Sequence, residues 1–189
     1  MAILLCGLTL LLIAIMSPET GLRSLLIIRT DKWFYRMLIS LVAIGGVALI
    51  IVGRVESPFV QIWVPPWEWR EFTYPLTLFA FILLGSELLP NGYLKSNLQH
   101  PSYTGVLLWG LAHLISNGDL ASIVLFGSLA SAALLKGSIA LFRSAGQPRQ
   151  TAQISVQWDI AAILLGLSVW GLLALYHGPL FGMALDLPV

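Results

Sequence analysis

Residues Leu98 to Gly127 read LQHPSYTGVLLWGLAHLISNGDLASIVLFG, which is two apolar runs separated by a short polar break at residues 117–119. The segment contains His100 and His113, two of the three histidines of the chain. Polar side chains are costly at membrane depth and are usually functional where they occur there. These residues are therefore the first candidates for a functional site.

The polar break predicts two helices joined by a tight turn. Asn117-Gly118 is a turn-forming pair, and Asp119 is a favoured N-cap residue for the helix that follows. The flanking helices are expected at Pro101 to Ser116, which opens with a proline in its first turn, and at Leu120 to Leu141.

The composition indicates a membrane protein. Of 189 residues, 58% are hydrophobic and only 10% are charged, whereas a soluble domain is about 25% charged. The mean hydropathy is +0.88. The apolar runs are long enough to cross about 30 Å of hydrocarbon as helices and lack the alternation of a membrane barrel. We therefore predict an all-α, polytopic membrane helix bundle with about six transmembrane helices, forming a single domain over residues 1–189.

Four further helices complete the predicted bundle. They are expected at Ala2 to Met16, Phe34 to Gly53, Thr73 to Leu89 and Trp158 to Tyr176, the last ending at His177-Gly178-Pro179. The loop before the third helix carries Trp63, Trp67 and Trp69 around Pro65-Pro66. Adjacent prolines forbid a continuing helix and tryptophans favour the membrane interface, so we interpret this loop as an interfacial anchor, with a substrate-binding lid as the alternative.

The basic residues predict an orientation. Every Lys and Arg except Arg54 and Arg70 lies in or beside a loop that follows an odd-numbered helix. Cytoplasmic loops carry an excess of Lys and Arg. We expect a multi-pass membrane protein with both termini on the side opposite the cytoplasm.

This orientation separates the candidate site residues into two groups. Met16 and His100 fall in the cytoplasmic half, while His113, Asp119 and His177 fall in the opposite half. His100 and His113 are also about 20 Å and about 220° apart on one helix, so they cannot bind one metal together.

The two histidines of the central segment have different interpretations. A lone intramembrane histidine such as His113 is usually a hydrogen-bonded structural group, whereas His100 stands beside a helix start and is better placed for ligation. Gly105 and Gly110 remove bulk on the same helix, which would let either a flat cofactor or a neighbouring helix approach.

Several classes of function lack a signature. There is no Ser/His/Asp triad, no paired cysteine, no HExxH motif and no phosphate-binding loop, so no catalytic residue is predicted. The net charge is +1 and the chain has no basic cluster, so no nucleic-acid partner is predicted. The expected partners are membrane lipid and either a hydrophobic substrate or another membrane protein.

The central segment also resembles a known family. His100-Pro101 followed by residues 108–122 is similar to the central signature of the NnrU family of bacterial membrane proteins, to which the 15-cis-ζ-carotene isomerase is distantly related. Trp63-Val64-Pro65-Pro66 and residues 158–177 resemble two further family segments. The resemblance covers nearly the whole chain and implies a six-helix protein of the bacterial inner membrane, which with the orientation above places both termini in the periplasm.

The resemblance implies a haem site. The isomerase branch binds haem b through two histidines, and His100 matches the one in its His-Pro motif. The other histidine begins a His-Ser-x-x-x-x-Leu-Arg pattern that matches residues 16–23 here, with Met16 in place of the histidine and Arg23 in register. A thioether also binds haem iron, so Met16 and His100 are the expected ligands. The alternative is that haem is absent and Met16 is ordinary apolar filling.

The resemblance also leaves several functions open. The family name implies a redox-linked or accessory role in nitrite and nitric oxide metabolism, that is, denitrification. The main alternative is haem-dependent cis–trans isomerisation of a carotenoid. Residues 100–105 also resemble the Arg-His-Pro-x-Tyr-x-Gly motif of isoprenylcysteine-type membrane methyltransferases, although Gln99 stands in place of the arginine. Methyl transfer is therefore a third alternative. In a non-enzymatic scaffold or maturation factor, His113, Asn117 and Asp119 would be structural and bridge the turn.

Overall fold

The structure is a computed structural model that describes residues 1–20, 23, 24, 27, 31–145 and 153–181. No β-strand occurs among these residues, which confirms the all-α prediction. Their α-helices are α1 (Ala2–Met16), α2 (Lys32–Glu56), α3 (Arg70–Leu88), α4 (Tyr93–Leu98), α5 (Pro101–Ser116), α6 (Leu120–Ser144) and α7 (Val156–Phe181), with a 3₁₀ turn at Trp67–Trp69.

The chain divides into two compact units, Met1–Val60 and Gln61–Val189. The first contains α1 and α2, and the second contains the remaining helices. The prediction of a single domain stays a prediction, and each unit is described by itself.

The predicted helix bounds hold for α1 and α5 and differ elsewhere for local reasons. Helix α2 begins at Lys32 because the Asp31 carboxylate accepts a hydrogen bond from the Phe34 N–H at 2.7 Å, the geometry of an N-cap. The predicted stop at residues 177–179 is wrong, since α7 continues to Phe181. Pro179 lies so near the end of α7 that few of the helix's backbone hydrogen bonds are affected.

Helix α4 was not predicted, because contacts with distant residues hold it. The Asp159 carboxylate, from the first turn of α7, accepts hydrogen bonds from the backbone N–H groups of Tyr93 at 2.8 Å and Leu94 at 3.0 Å. The Lys95 ammonium donates to the carbonyls of Glu87 at 2.7 Å and Leu89 at 2.9 Å. A carboxylate at the start of α4 and a cation at the end of α3 both complement helix dipoles.

In the first unit, α1 and α2 pack directly on each other through glycines. A Cβ added to Gly46 would lie 2.9 Å from the carbonyl oxygen of Gly7, and one added to Gly7 would lie 2.7 Å from that of Gly46. Small residues of this kind let two helix backbones approach closely. At the end of α1, the hydroxyls of Ser17 and Tyr35 form a buried hydrogen bond of 2.8 Å.

In the second unit, four helices lie in the order α7, α3, α5, α6, each packed on the next. Gly166 of α7 faces the backbone of Ile82 on α3, and Gly110 of α5 faces Ala130 and Phe126 on α6. The central position of α3 leaves a groove between α5 and α7. This groove holds the cavity described below.

Three helices of the described residues are long and apolar enough to cross a membrane: α2, α6 and α7. Helix α1 is apolar but has 15 residues, a rise of about 22 Å against a hydrocarbon core of about 30 Å. Helices that could span a membrane are therefore confirmed. The count of six spans, the inner-membrane location and the periplasmic termini stay predictions.

Candidate functional site

A cavity of about 120 Å³ lies in the second unit between the first half of α3, the last half of α5 and the last half of α7. The structure brings His113 and His177 together on its wall. The rings of the wall are Tyr74, Phe81, Trp109, Trp170 and Phe181, and its smaller side chains are Thr73, Thr77, Leu173 and Ala174. Aromatic walls with a few polar groups are typical of a small-molecule site.

The imidazole of His113 is held in one orientation. Its Nδ1 lies 2.8 Å from the carbonyl oxygen of Trp109, and because a carbonyl only accepts, Nδ1 carries the proton. The ring stacks on Phe126 at a centroid distance of 4.2 Å and contacts Trp109 at 4.7 Å. In the neutral imidazole the lone pair is therefore on Nε2, which can accept a hydrogen bond or bind a metal.

The α3 side of the cavity is held by hydroxyl groups. Thr77 Oγ1 donates within its own helix to the carbonyl of Thr73 at 2.9 Å and accepts from the indole Nε1 of Trp170 at 3.0 Å. Thr73 Oγ1 in turn hydrogen bonds with Ser116 of α5. These bonds join α7 to α3 and α3 to α5, so the two tryptophan-bearing walls of the cavity are fixed relative to α3.

The turn between α5 and α6 lies against the tryptophan-rich loop. The N–H groups of Ile62 and Trp63 donate to the carbonyl of Gly118 at 2.8 and 3.2 Å. Asp119 accepts from the Ser122 N–H at 3.1 Å, so its predicted role as an N-cap is confirmed. The Asn117 side chain donates to the carbonyl of His113 at 2.9 Å. Asn117 therefore satisfies a carbonyl at the end of α5, and Asp119 caps the start of α6.

His100 lies at the other end of α5, where it is the N-cap. The preceding residue, Gln99, has φ 60° and ψ −42°, and the N–H of His100 donates to the carbonyl of Leu98 at 2.6 Å. This is a γ-turn with a positive φ, a rare and strained conformation. The half-buried imidazole has its centroid 5.7 Å from the Tyr103 ring. A strained backbone next to a candidate ligand is a reason to suspect function there.

The glycines of α5 are explained by helix packing. A Cβ at Gly105 would lie 2.9 Å from the carbonyl oxygen of Ala80 on α3, and one at Gly110 would lie 3.0 Å from Ala130 Cβ on α6. Of the two expectations for these glycines, the close neighbouring helix is confirmed. They do not form a cradle for a flat cofactor.

Met16 and Arg23 belong to the first unit. Met16 is the last residue of α1 and is half-buried, and its carbonyl accepts from the N–H groups of Glu19 at 2.9 Å and Thr20 at 3.3 Å. Arg23 is exposed. Haem ligation by Met16 and His100 stays a prediction. The donor chemistry suits haem iron, because imidazole and thioether are both accepted axial ligands.

Thr73, Thr77 and Trp170 of the cavity wall were not among the residues predicted from the sequence. The two threonines are four residues apart on one face of α3, and Trp170 is a single aromatic in an aliphatic run. The sequence shows these positions, but it does not show which helix packs against α3. In the described part of the chain, no group of three or more His, Cys, Asp or Glu side chains could hold a metal ion.

The described residues define an all-helical protein with apolar helices long enough to cross a membrane and a histidine-containing cavity between α3, α5 and α7 of the second unit. The family model described as NnrU protein matches residues 3–185, nearly the whole chain. The chain belongs to the NnrU family. No curated protein and no solved structure matches it.

Proposed function

We propose that this chain is a multi-spanning inner-membrane protein with a redox-linked or accessory role in nitrite and nitric oxide metabolism. The observation that carries the proposal is membership of the NnrU family over residues 3–185, since the family name points to that metabolism. The apolar helices α2, α6 and α7 support the membrane location.

The proposed cofactor is haem b, with His100 and Met16 as the iron ligands. When bound, the haem would supply one-electron chemistry, and a His/Met pair favours a higher reduction potential than two histidines. The role of the chain is to present the two donors. The γ-turn at Gln99 sets the direction in which His100 leaves the backbone, and Met16 presents a partly exposed side chain at the end of α1.

Absorption spectroscopy tests the cofactor. The detergent-purified protein, expressed with ample haem supply, should show a Soret band that shifts on reduction with dithionite. His100→Ala and Met16→Ala should each weaken or shift that band, because each removes one axial ligand. His177→Ala and Met37→Ala are matched controls that remove the same residue types elsewhere and should leave the band unchanged.

Two results would overturn the haem assignment. One is a featureless spectrum of the wild-type protein. The other is a wild-type Soret band that both ligand variants retain unchanged. The featureless spectrum would also remove the basis for haem-dependent carotenoid isomerisation, which needs the cofactor, whereas an unchanged band would show that other residues hold the haem.

A genetic experiment tests the metabolic role separately. A denitrifying host that lacks this protein should accumulate nitrite or nitric oxide during anaerobic growth, and the wild-type chain should restore turnover. Unchanged nitrite and nitric oxide levels in the deletion strain would contradict the proposed role, whatever the spectrum shows.

A further inference from the structure

The cavity between α3, α5 and α7 is slightly smaller than a cavity known to hold one aromatic ring. Its volume is about 120 Å³, and a cavity of about 150 Å³ in another protein accommodates benzene. Trp109 and Trp170 stand on its α5 and α7 sides, and Phe81 contributes from α3. Ring faces and edges of this kind favour a flat, apolar ligand.

The polar groups of the wall select among flat ligands. The hydroxyl of Thr77 is engaged by the Thr73 carbonyl and the Trp170 indole. His113 donates through Nδ1 to Trp109, which leaves Nε2 of the neutral ring as an acceptor. Because the Phe126 stack and this hydrogen bond already hold the imidazole, accepting a further hydrogen bond requires little reordering. A ligand that carries a hydroxyl donor on an aromatic ring fits both requirements.

We propose that this cavity binds a single hydroxylated aromatic ring, whose hydroxyl donates to Nε2 of His113. The ring could be a free phenol or the head group of a membrane quinol, because both present the same flat, donating chemistry. The site is independent of the proposed haem ligand His100. His100 is the N-cap of α5 and His113 lies thirteen residues further along, which is about 20 Å along the helix axis.

Fluorine NMR of the purified protein, with 4-fluorophenol and 4-fluorotoluene as probes, tests the site. The two probes have nearly the same shape, and only the phenol can donate a hydrogen bond. After correction for partitioning into detergent, the phenol should bind saturably and about three- to tenfold more tightly than the toluene, the effect of one hydrogen bond.

Two neighbouring variants test the location. Ala174→Phe places a ring in the cavity and should abolish saturable binding of both probes. Leu175→Phe adds a ring at the next residue, whose side chain is 74% exposed, and should leave binding unchanged. Saturable phenol binding that survives in Ala174→Phe would overturn the proposal.

His113→Phe tests the hydrogen bond. A phenyl ring keeps the stack on Phe126 but has no acceptor, so the phenol affinity should fall to that of the toluene while toluene binding persists. Equal affinities of the two probes for the wild-type protein, or a phenol preference unchanged in His113→Phe, would show that His113 does not recognise a hydroxyl.

A competition experiment distinguishes the two sources of the ring. If a short-chain prenylated benzoquinol displaces 4-fluorophenol from the wild-type protein at lower concentration than unlabelled phenol does, the ligand class is a membrane quinol. If phenol displaces the probe and the prenylated compound does not, the ligand class is a free phenol. If neither compound displaces it, the recognition of a hydroxylated ring is refuted.

Discussion

Gln99 is the non-glycine residue with a positive φ among those that the structure describes. Its φ of 60° places a residue with a Cβ in a γ-turn that L-residues rarely adopt. The hydrogen bonds from the His100 N–H to Leu98 and from the Gln99 N–H to Lys95 hold this turn between α4 and α5. The strain is located one residue before the proposed haem ligand.

Replacing Gln99 by glycine should relieve this strain. Backbone outliers cost about 1–3 kcal/mol, and the added flexibility of glycine offsets up to about 1 kcal/mol, so Gln99→Gly should raise the free energy of unfolding by roughly 1 kcal/mol. Gln99→Val should lower it, because a β-branched side chain tolerates a positive φ least. Thermal unfolding in detergent measures both. A Gln99→Gly protein less stable than Gln99→Val would contradict the strain.

Small residues of the helices serve packing only where another helix faces them. Helix α6 carries a run of small residues that includes Gly127, Ala130 and Ala133, a pattern that indicates close helix packing. Ala130 is indeed buried against Gly110 of α5, whereas a Cβ at Gly127 would meet nothing within 4 Å. Composition thus identified the right helix, and the tertiary structure decided which of its small residues are in contact.

The adjacent glycines Gly45 and Gly46 of α2 give a matched test of this principle. A Cβ at Gly46 would lie 2.9 Å from the Gly7 carbonyl oxygen and 2.9 Å from the Leu11 N atom, both backbone atoms of α1, whereas one at Gly45 meets nothing within 4 Å. Gly46→Ala should therefore destabilise the first unit by about 1–3 kcal/mol, since a backbone cannot move aside as a side chain does.

Gly45→Ala is the control for that variant. It should leave stability unchanged or raise it by up to about 1 kcal/mol, because alanine is the better helix former. Thermal unfolding of the two variants, measured side by side, gives the difference. Equal melting temperatures would mean that α1 and α2 do not approach as closely as the glycines indicate.

Across the chain, the length of the helices bears on how many cross the membrane. Helices α2, α6 and α7 have 25 or 26 residues, a rise of about 37 to 39 Å, which exceeds the hydrocarbon core of about 30 Å. A chain with six spans also needs α1, α3 and α5 to cross. Helix α3 is decisive, because it separates the tryptophan-rich loop from the segment before His100.

Cysteine labelling tests whether α3 crosses. In a protein whose Cys6 is replaced by serine, Glu68→Cys places a single exposed thiol before α3, and Asn97→Cys places a single exposed thiol after it. In intact spheroplasts, a membrane-impermeant maleimide should label Glu68→Cys and should label Asn97→Cys only after lysis, as the distribution of basic residues predicts. Labelling of both thiols in intact spheroplasts would refute a crossing by α3.

The reverse pattern would be informative in a different way. Labelling of Asn97→Cys alone would confirm that α3 crosses the membrane but would invert the predicted orientation. The cysteine-free protein, Cys6→Ser alone, should show no labelling in intact or lysed spheroplasts. This controls for reaction of the maleimide with other side chains.

The sequence by itself determined the features that depend on neighbours along the chain. The apolar runs predicted the approximate bounds of helices α1 and α5, and Asn117-Gly118-Asp119 was sufficient to predict the turn and its cap, because these interactions span only a few residues. The resemblance to the NnrU family was likewise carried by the one-dimensional order of the residues.

Only the tertiary structure decided the features that need distant residues to meet. Helix α4 depends on Asp159, which lies 65 and 66 positions away from the N–H groups it accepts from. The cavity depends on Trp170 meeting Thr77 across 93 positions. Sequence spacing carries no signal for such contacts, because which helix packs on α3 is determined by the shapes of whole helix faces and not by local preference.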